Sequence, residues 1–208
     1  MDRIKEKVKD IDITLSYQLF KSYPKGVKYR RILSTLEWSC HGIPWFAGVI
    51  IAIYLWPSSE LLAQLLAGLL LDVITVAIVK ALARRRRPTY ANQEDQFIVA
   101  SIDKHSMPSG HASRAVYIAL LLNNGSFWSQ LTWIWAISVG LSRIFLGRHH
   151  ILDVTAGFLF AFFNYSLQFS FGGFLNKIIV WILLHQFSNT NDLADTENIN
   201  VGNIVDDD

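Results

Sequence analysis

Three clusters of polar residues interrupt an otherwise apolar chain, and each carries groups suited to handling an anion. The first is Lys80 followed by the run Arg84, Arg85, Arg86, Arg87 and then Pro88. Seven residues make close to two helical turns, so Lys80 and Arg87 share a face if the helix continues to the proline. A basic flank closing a membrane helix is the competing reading. The second cluster is Pro108-Ser109-Gly110-His111, where a loop gives way to an apolar run. Serine and glycine at a helix start offer a hydroxyl and approachable backbone N–H groups, which is how helix N-termini hold phosphate oxygens. An ordinary N-cap beside an incidental histidine is the alternative. The third runs from Ser142-Arg143 to His149-His150 and Asp153. His149 and Asp153 are spaced i, i+4, so on a helix the carboxylate accepts a hydrogen bond from one ring nitrogen and leaves the other free to attack. Arg143 lies about 240° from His149 around a continuous helix. Bringing the two together needs a break, and Gly147 is placed for one. A metal site built from His149, His150 and Asp153 competes with this reading, but it lacks a fourth ligand and is ringed by cations.

The elements that must position these groups are apolar. The 208 residues are 51% hydrophobic and 17% charged, against about 25% charged in a soluble domain. Of the 36 charges, 13 fall in residues 1–31 and six in 188–208; ten of the remaining 17 crowd into residues 80–114. The middle of the chain therefore reads as membrane segments around one polar island. Apolar runs cover 43–56, 61–79, 112–122, 127–146 and 151–171, with a shorter one at 174–187. Turn signals separate them: Pro57-Ser58-Ser59, Asn123-Asn124-Gly125 and Gly147-Arg148. The first run is short against the roughly 20 residues a span needs, and extending it back through Ile32 to Cys40 supplies the length while taking in Glu37 and Pro44.

Residues 1–30 form a basic segment with apolar positions Ile11, Ile13, Leu15, Leu19 and Phe20, read as an interfacial helix rather than a secretory signal. Residues 31–187 are the membrane-embedded unit, and the acidic 188–208 a disordered tail. Cys40, the one cysteine, rules out an internal disulfide. Positive charge is clustered and not interleaved with aromatics, which disfavours nucleic acid and favours a lipid with an anionic head. Asp72 inside an apolar run calls for a partner within the bundle.

The succession K-x6-RP, PSGH and SR-x5-H-x3-D resembles the three-part signature of the type 2 phosphatidic acid phosphatase (PAP2) superfamily, over roughly residues 31–171. The stretch Glu37 to Trp45 and the run Arg84 to Pro88 look most like the polyisoprenoid (presqualene) diphosphate phosphatases. The resemblance implies an all-α polytopic bundle of five to six membrane helices in the endoplasmic reticulum or nuclear envelope, acting on a lipid phosphate among membrane lipids. It implies that His149 attacks phosphorus to give a phosphohistidine, with Asp153 supporting it and His111 protonating the leaving oxygen. Lys80, Arg87 and Arg143 would hold the phosphate oxygens, and Ser109 with the Gly110 amide would complete the cradle. Fixed cations then stand where a kinase uses Mg²⁺, so no metal or cofactor is expected.

Overall fold

A computed structural model describes residues 2–24, 26–90, 105–170, 177, 178, 180–182 and 185. Seven helices are formed among them: α1 (Asp2–Ser22), α2 (Val27–Ser39), α3 (Gly42–Leu55), α4 (Glu60–Ala83), α5 (Gly110–Leu121), α6 (Phe127–Phe145) and α7 (Ile151–Phe169). Most of the apolar run at 174–187 and all of the acidic tail lie outside the described residues.

The backward extension of the first apolar run exists, but as a bent pair. α2 and α3 meet at 44°, and the cause is Pro44. It has no N–H to offer the carbonyl of Cys40 four residues back, and its ring clashes with that carbonyl in a continuous helix. The chain breaks at Cys40 and restarts at Gly42, with Pro44 in the first turn, where an amide is not needed. The freed Cys40 carbonyl accepts from Arg114 Nη1 of α5 at 3.0 Å. α4 is long and apolar enough to cross a membrane, and the α2–α3 pair passes the same test as one broken span.

α5 is the centre of the bundle. Its residues from Ala112 to Ala119 are all buried, and it packs on α4, α6 and α7. Small side chains make this possible. A Cβ on Gly68 of α4 would lie 1.8 Å from the Tyr117 hydroxyl, which instead donates to Gln168 Oε1 at 2.6 Å. Asp72 finds the partners its position demanded: it accepts from Ser113 Oγ and from Asn164 Nδ2 at 3.4 Å, with Arg114 Nη2 at 4.0 Å. The polarity is inside out. Asp72, Ser113, Asn164 and Gln168 are buried, while Ile51, Tyr54, Ile74, Ile78, Leu82, Ile134, Leu159 and Phe163 face outward, as expected when lipid is the solvent.

The basic N-terminal segment is one helix, α1, with Ile4, Val8, Ile11, Leu15 and Leu19 along an exposed apolar row. The side turned to the bundle is polar: Asp12 and Ser16 are buried against α6 and α7.

Candidate active site

Each of the three clusters sits at a helix end, and local chemistry explains each end. α4 stops at Ala83, short of the proline, so Lys80 and Arg87 are not two turns apart on one helix as the spacing suggested. Arg84 takes a left-handed conformation (φ 46°) and its N–H caps the Lys80 carbonyl at 3.1 Å. The chain then runs non-helically through Arg85 to Arg87 and is laced to the far side of the loop. Ser106 N–H donates to the Arg85 carbonyl at 2.8 Å, the Ser106 hydroxyl to that of Arg86 at 3.1 Å, and Arg86 bridges His105.

Ser109 occupies the N-cap position of α5 without capping it. Its hydroxyl makes no capping bond and is buried with no hydrogen-bond partner among the described residues. The same holds for His111 Nε2 and Arg143 Nε. Buried polar atoms are almost always paired, so these three, from the second and third clusters, are left with hydrogen-bonding capacity that a polar ligand could use. The Ser109 turn is pinned by its own amide, which donates to the Asp153 carbonyl at 2.9 Å. Gly157 lets α7 approach that closely: a Cβ there would sit 2.6 Å from the Ser109 carbonyl oxygen.

The break expected at Gly147 is a Schellman turn. With Gly147 at φ 68°, its N–H meets the Ile144 carbonyl at 2.9 Å, and Arg148 N–H meets that of Arg143 at 2.9 Å. His149 N–H also folds back on the Arg143 carbonyl, at 3.2 Å, which brings the third cluster's arginine and histidine together.

His149 is buried, in the turn between α6 and α7. Its Nδ1 lies 2.7 Å from the Ser106 carbonyl oxygen. A carbonyl only accepts, so Nδ1 carries the proton and Nε2 keeps its lone pair. Asp153 Oδ2 is 3.8 Å from Nδ1, near it but not hydrogen-bonded as the i, i+4 spacing suggested. His149 precedes the helix, so helical spacing does not govern the pair. Asp153 is instead occupied by Arg85 Nη1 at 2.9 Å, by the backbone N–H of His150 at 2.8 Å, and by His150 Nδ1 at 3.3 Å. Burial, and then the charges of Arg87, Arg143, Lys80 and His111, hold the His149 pKa well below its usual 6.5. Arg87, Arg143 and Lys80 thus lie near enough to His149 for their charges to disfavour its protonation.

Sequence reading missed four participants. Glu37 of α2 meets Arg143 Nη1 at 2.6 Å and Arg148 Nε at 3.7 Å. His150 caps α7 reciprocally with Asp153; the i, i+3 capping spacing was the available signal. Arg85, grouped with its neighbours as a flanking charge, turns inward to Asp153. Asp12 pairs with Arg85 from α1, 73 residues away, and no local pattern announces it. Among the described residues, no group of three or more His, Cys, Asp or Glu side chains is placed to hold a metal ion. A groove of about 1040 Å³, lined in part by Lys5, Lys9, Arg84, Arg86 and Arg87, opens beside His150 and Met107.

Residues 61–175 match the PAP2 superfamily. The chain is 37% identical over 130 residues to the probable lipid phosphate phosphatase beta of Arabidopsis thaliana, covering 49% of this chain and 61% of that protein. It is 42% identical over 66 residues to sphingosine-1-phosphate phosphatase 1 of Rattus norvegicus, covering 27% of this chain and 15% of that one. The fold is similar to that of Aquifex aeolicus LpxE (TM-score 0.62, 19% identity, 77% of this chain and 96% of the other). It is also similar to a transmembrane PAP2-type phosphatidylglycerolphosphate phosphatase of Bacillus subtilis (TM-score 0.60, 20% identity, 77% and 84%).

Proposed function

The chain belongs to the PAP2 superfamily, and on that premise we propose that it is a metal-independent membrane phosphatase that removes phosphate from a lipid head through a phosphohistidine. The observation that carries the proposal is His149: a neutral imidazole, its Nδ1 proton spent on Ser106, its Nε2 unprotonated, among the charges of Lys80, Arg87 and Arg143. His149 Nε2 attacks phosphorus, and the bond from phosphorus to the leaving oxygen breaks. His111, which takes up a proton at Nε2 as the negatively charged phosphate enters, gives that oxygen its proton. Water then attacks phosphorus, the phosphorus–nitrogen bond breaks, and His111 takes a proton from that water, so phosphate leaves with both histidines restored. Lys80, Arg87 and Arg143 stabilise the charge that spreads over the phosphoryl oxygens in the transition state, with Ser109 and the Gly110 amide completing the cradle. Asp153 supports His149 by its charge at 3.8 Å rather than by a direct hydrogen bond.

The substrate class proposed is isoprenoid diphosphate or monophosphate, on the resemblance carried by the Glu37 to Trp45 and Arg84 to Pro88 stretches. The runner-up is phosphatidate or a related lipid monophosphate, which the names of the matched relatives favour. The α2–α3 pair, α4, α5, α6 and α7 make up the five-to-six-helix membrane unit in this reading; α6 and α7, at 19 residues each, reach about 28 Å. The endoplasmic reticulum is the proposed membrane, again on resemblance.

The test is phosphate release in detergent with EDTA, comparing wild type and His149→Ala on farnesyl diphosphate, presqualene diphosphate and phosphatidate. Release that survives EDTA and disappears in the variant supports the histidine mechanism and ranks the substrates. Release that persists in His149→Ala, or is lost with EDTA, refutes it. A folded wild type silent on every lipid phosphate makes the chain a non-catalytic member of the fold.

A further inference from the structure

Among the described residues Asp153 is the carboxylate that approaches His149, yet its nearest charged partner, Arg85, is shared. Arg85 Nη1 holds Asp153 Oδ1 at 2.9 Å while Nη2 holds Asp12 Oδ2 of α1, so one guanidinium fork joins two buried carboxylates. The second oxygen of Asp12 accepts the Leu152 backbone N–H at 3.0 Å, and Ser16 Oγ accepts that of Ile151 at 2.9 Å. These are first-turn amides of α7, which have no partner inside their own helix. α1 thus supplies caps for the helix that carries Asp153, in addition to His150 and Asp153 themselves. It also supplies Tyr17 and Phe20, which pack on Tyr90 at 5.3 and 4.9 Å, and Tyr90 in turn meets His150 at 6.5 Å.

We propose that Asp12 is a positioning residue for catalysis: through Arg85 and the first turn of α7 it fixes Asp153, and with it the Ser109 turn and the His149 ring, so that α1 is a working part of the active site. Without Asp12, the Arg85 fork has only Asp153 to satisfy it among the described residues. The guanidinium is then free to swing, and Asp153, whose carbonyl pins the Ser109 amide at 2.9 Å, follows. Displacing catalytic groups by a fraction of an ångström costs turnover more than binding. Lysine cannot replace Arg85, because an ammonium lacks the planar fork that serves two carboxylates at once.

The inference rests on His149 and Asp153 acting as proposed above, and the experiment separates the two. Phosphate release is measured on whichever lipid phosphate the wild type turns over, for Asp12→Asn, Asp12→Glu, Arg85→Lys, the double variant Asp12→Asn/Arg85→Lys, Ser16→Ala and His149→Ala. Each is checked for folding by size exclusion and thermal unfolding. Asp12→Asn and Arg85→Lys are each expected to lower kcat by about 10- to 100-fold with KM within about twofold. The double variant should fall no further than the worse single, because both break one chain of contacts. Asp12→Glu, which keeps the charge, should recover part of the loss; Ser16→Ala, which removes one α7 cap and the 3.5 Å contact to Asp12 but leaves the Arg85 fork paired, should lower the unfolding temperature and cost kcat less than Asp12→Asn does. Folded Asp12→Asn with wild-type kcat, or losses that multiply in the double variant, overturns the proposal. If the Asp12 variants do not fold, wild-type kcat in Arg85→Lys overturns it by itself. Activity surviving in His149→Ala defeats the underlying mechanism instead, whatever Asp12 does.

Discussion

Replacing Gly157 by alanine adds one methyl group, and the structure says what that methyl meets. Its position is 2.6 Å from the Ser109 carbonyl oxygen, 3.1 Å from Ala112 Cβ and 3.2 Å from Ser113 N. Unstrained heavy-atom contacts lie at about 3.5–4.0 Å. All three neighbours are backbone or Cβ atoms, so no side chain can swing aside, and α7 must separate from the Ser109 turn by roughly 1 Å, the gap between 2.6 Å and an unstrained contact. Overpacking of this kind costs about 1–3 kcal/mol, offset by up to about 1 kcal/mol of helix propensity gained over glycine. The net is a loss of up to about 2 kcal/mol, which for a chain of this size lowers the unfolding temperature by up to about 8 °C. Activity should suffer more, because the displaced turn carries Ser109 and leads into His111. A 1 Å misplacement costs about a hundredfold, so kcat should fall about tenfold or more. Gly48→Ala is the paired control, with nothing within 4 Å of the added methyl. Both variants are assayed by phosphate release in detergent and by unfolding followed through tryptophan fluorescence. Gly157→Ala indistinguishable from Gly48→Ala in both readouts would refute the claim that α7 and the Ser109 turn are held at glycine distance.

Three further outcomes are expected. Burial and the surrounding cations penalise the His149 imidazolium, so the folded pKa lies well below 6.5. The neutral nucleophile therefore persists as pH falls, the acid limb of kcat/KM assigned to His149 lies below 6.5, and Lys80→Gln moves that limb upward in a pH–rate profile; an unmoved limb contradicts the assignment. The same shift makes stability fall as pH drops from 6.5 through the folded pKa, since only the unfolded chain takes up the proton readily. Glu37→Gln removes the carboxylate 2.6 Å from Arg143. Arg143, left buried without its counter-charge, gains more from an anion, so inhibition by inorganic phosphate or vanadate should tighten by roughly three- to tenfold. Unchanged or weaker inhibition would mean that Arg143 does not face the anion.

What could be read from the chain alone was local. Apolar runs between turn signals announced a helical membrane bundle, Gly147 announced the break that returns His149 to Arg143, and the buried Asp72 announced partners it does have. These follow from periodicity, backbone conformation and desolvation, which act over a few residues. Helical spacing failed where the helix had already ended. Lys80 and Arg87 are separated by the left-handed Arg84, and His149 lies outside α7 while Asp153 lies inside it. Nothing in the sequence tells whether a run of four arginines stops a helix at its first or its last member. Only tertiary packing decided who pairs with whom: His149 with the Ser106 carbonyl, 43 residues away; Asp153 with Arg85, 68 away; Arg85 with Asp12, 73 away. A charge buried in a bundle must be paired by whatever the fold brings beside it. That choice depends on how helices α1, α4 and α7 are stacked, and no repeat of 3.6 residues along any one of them carries it.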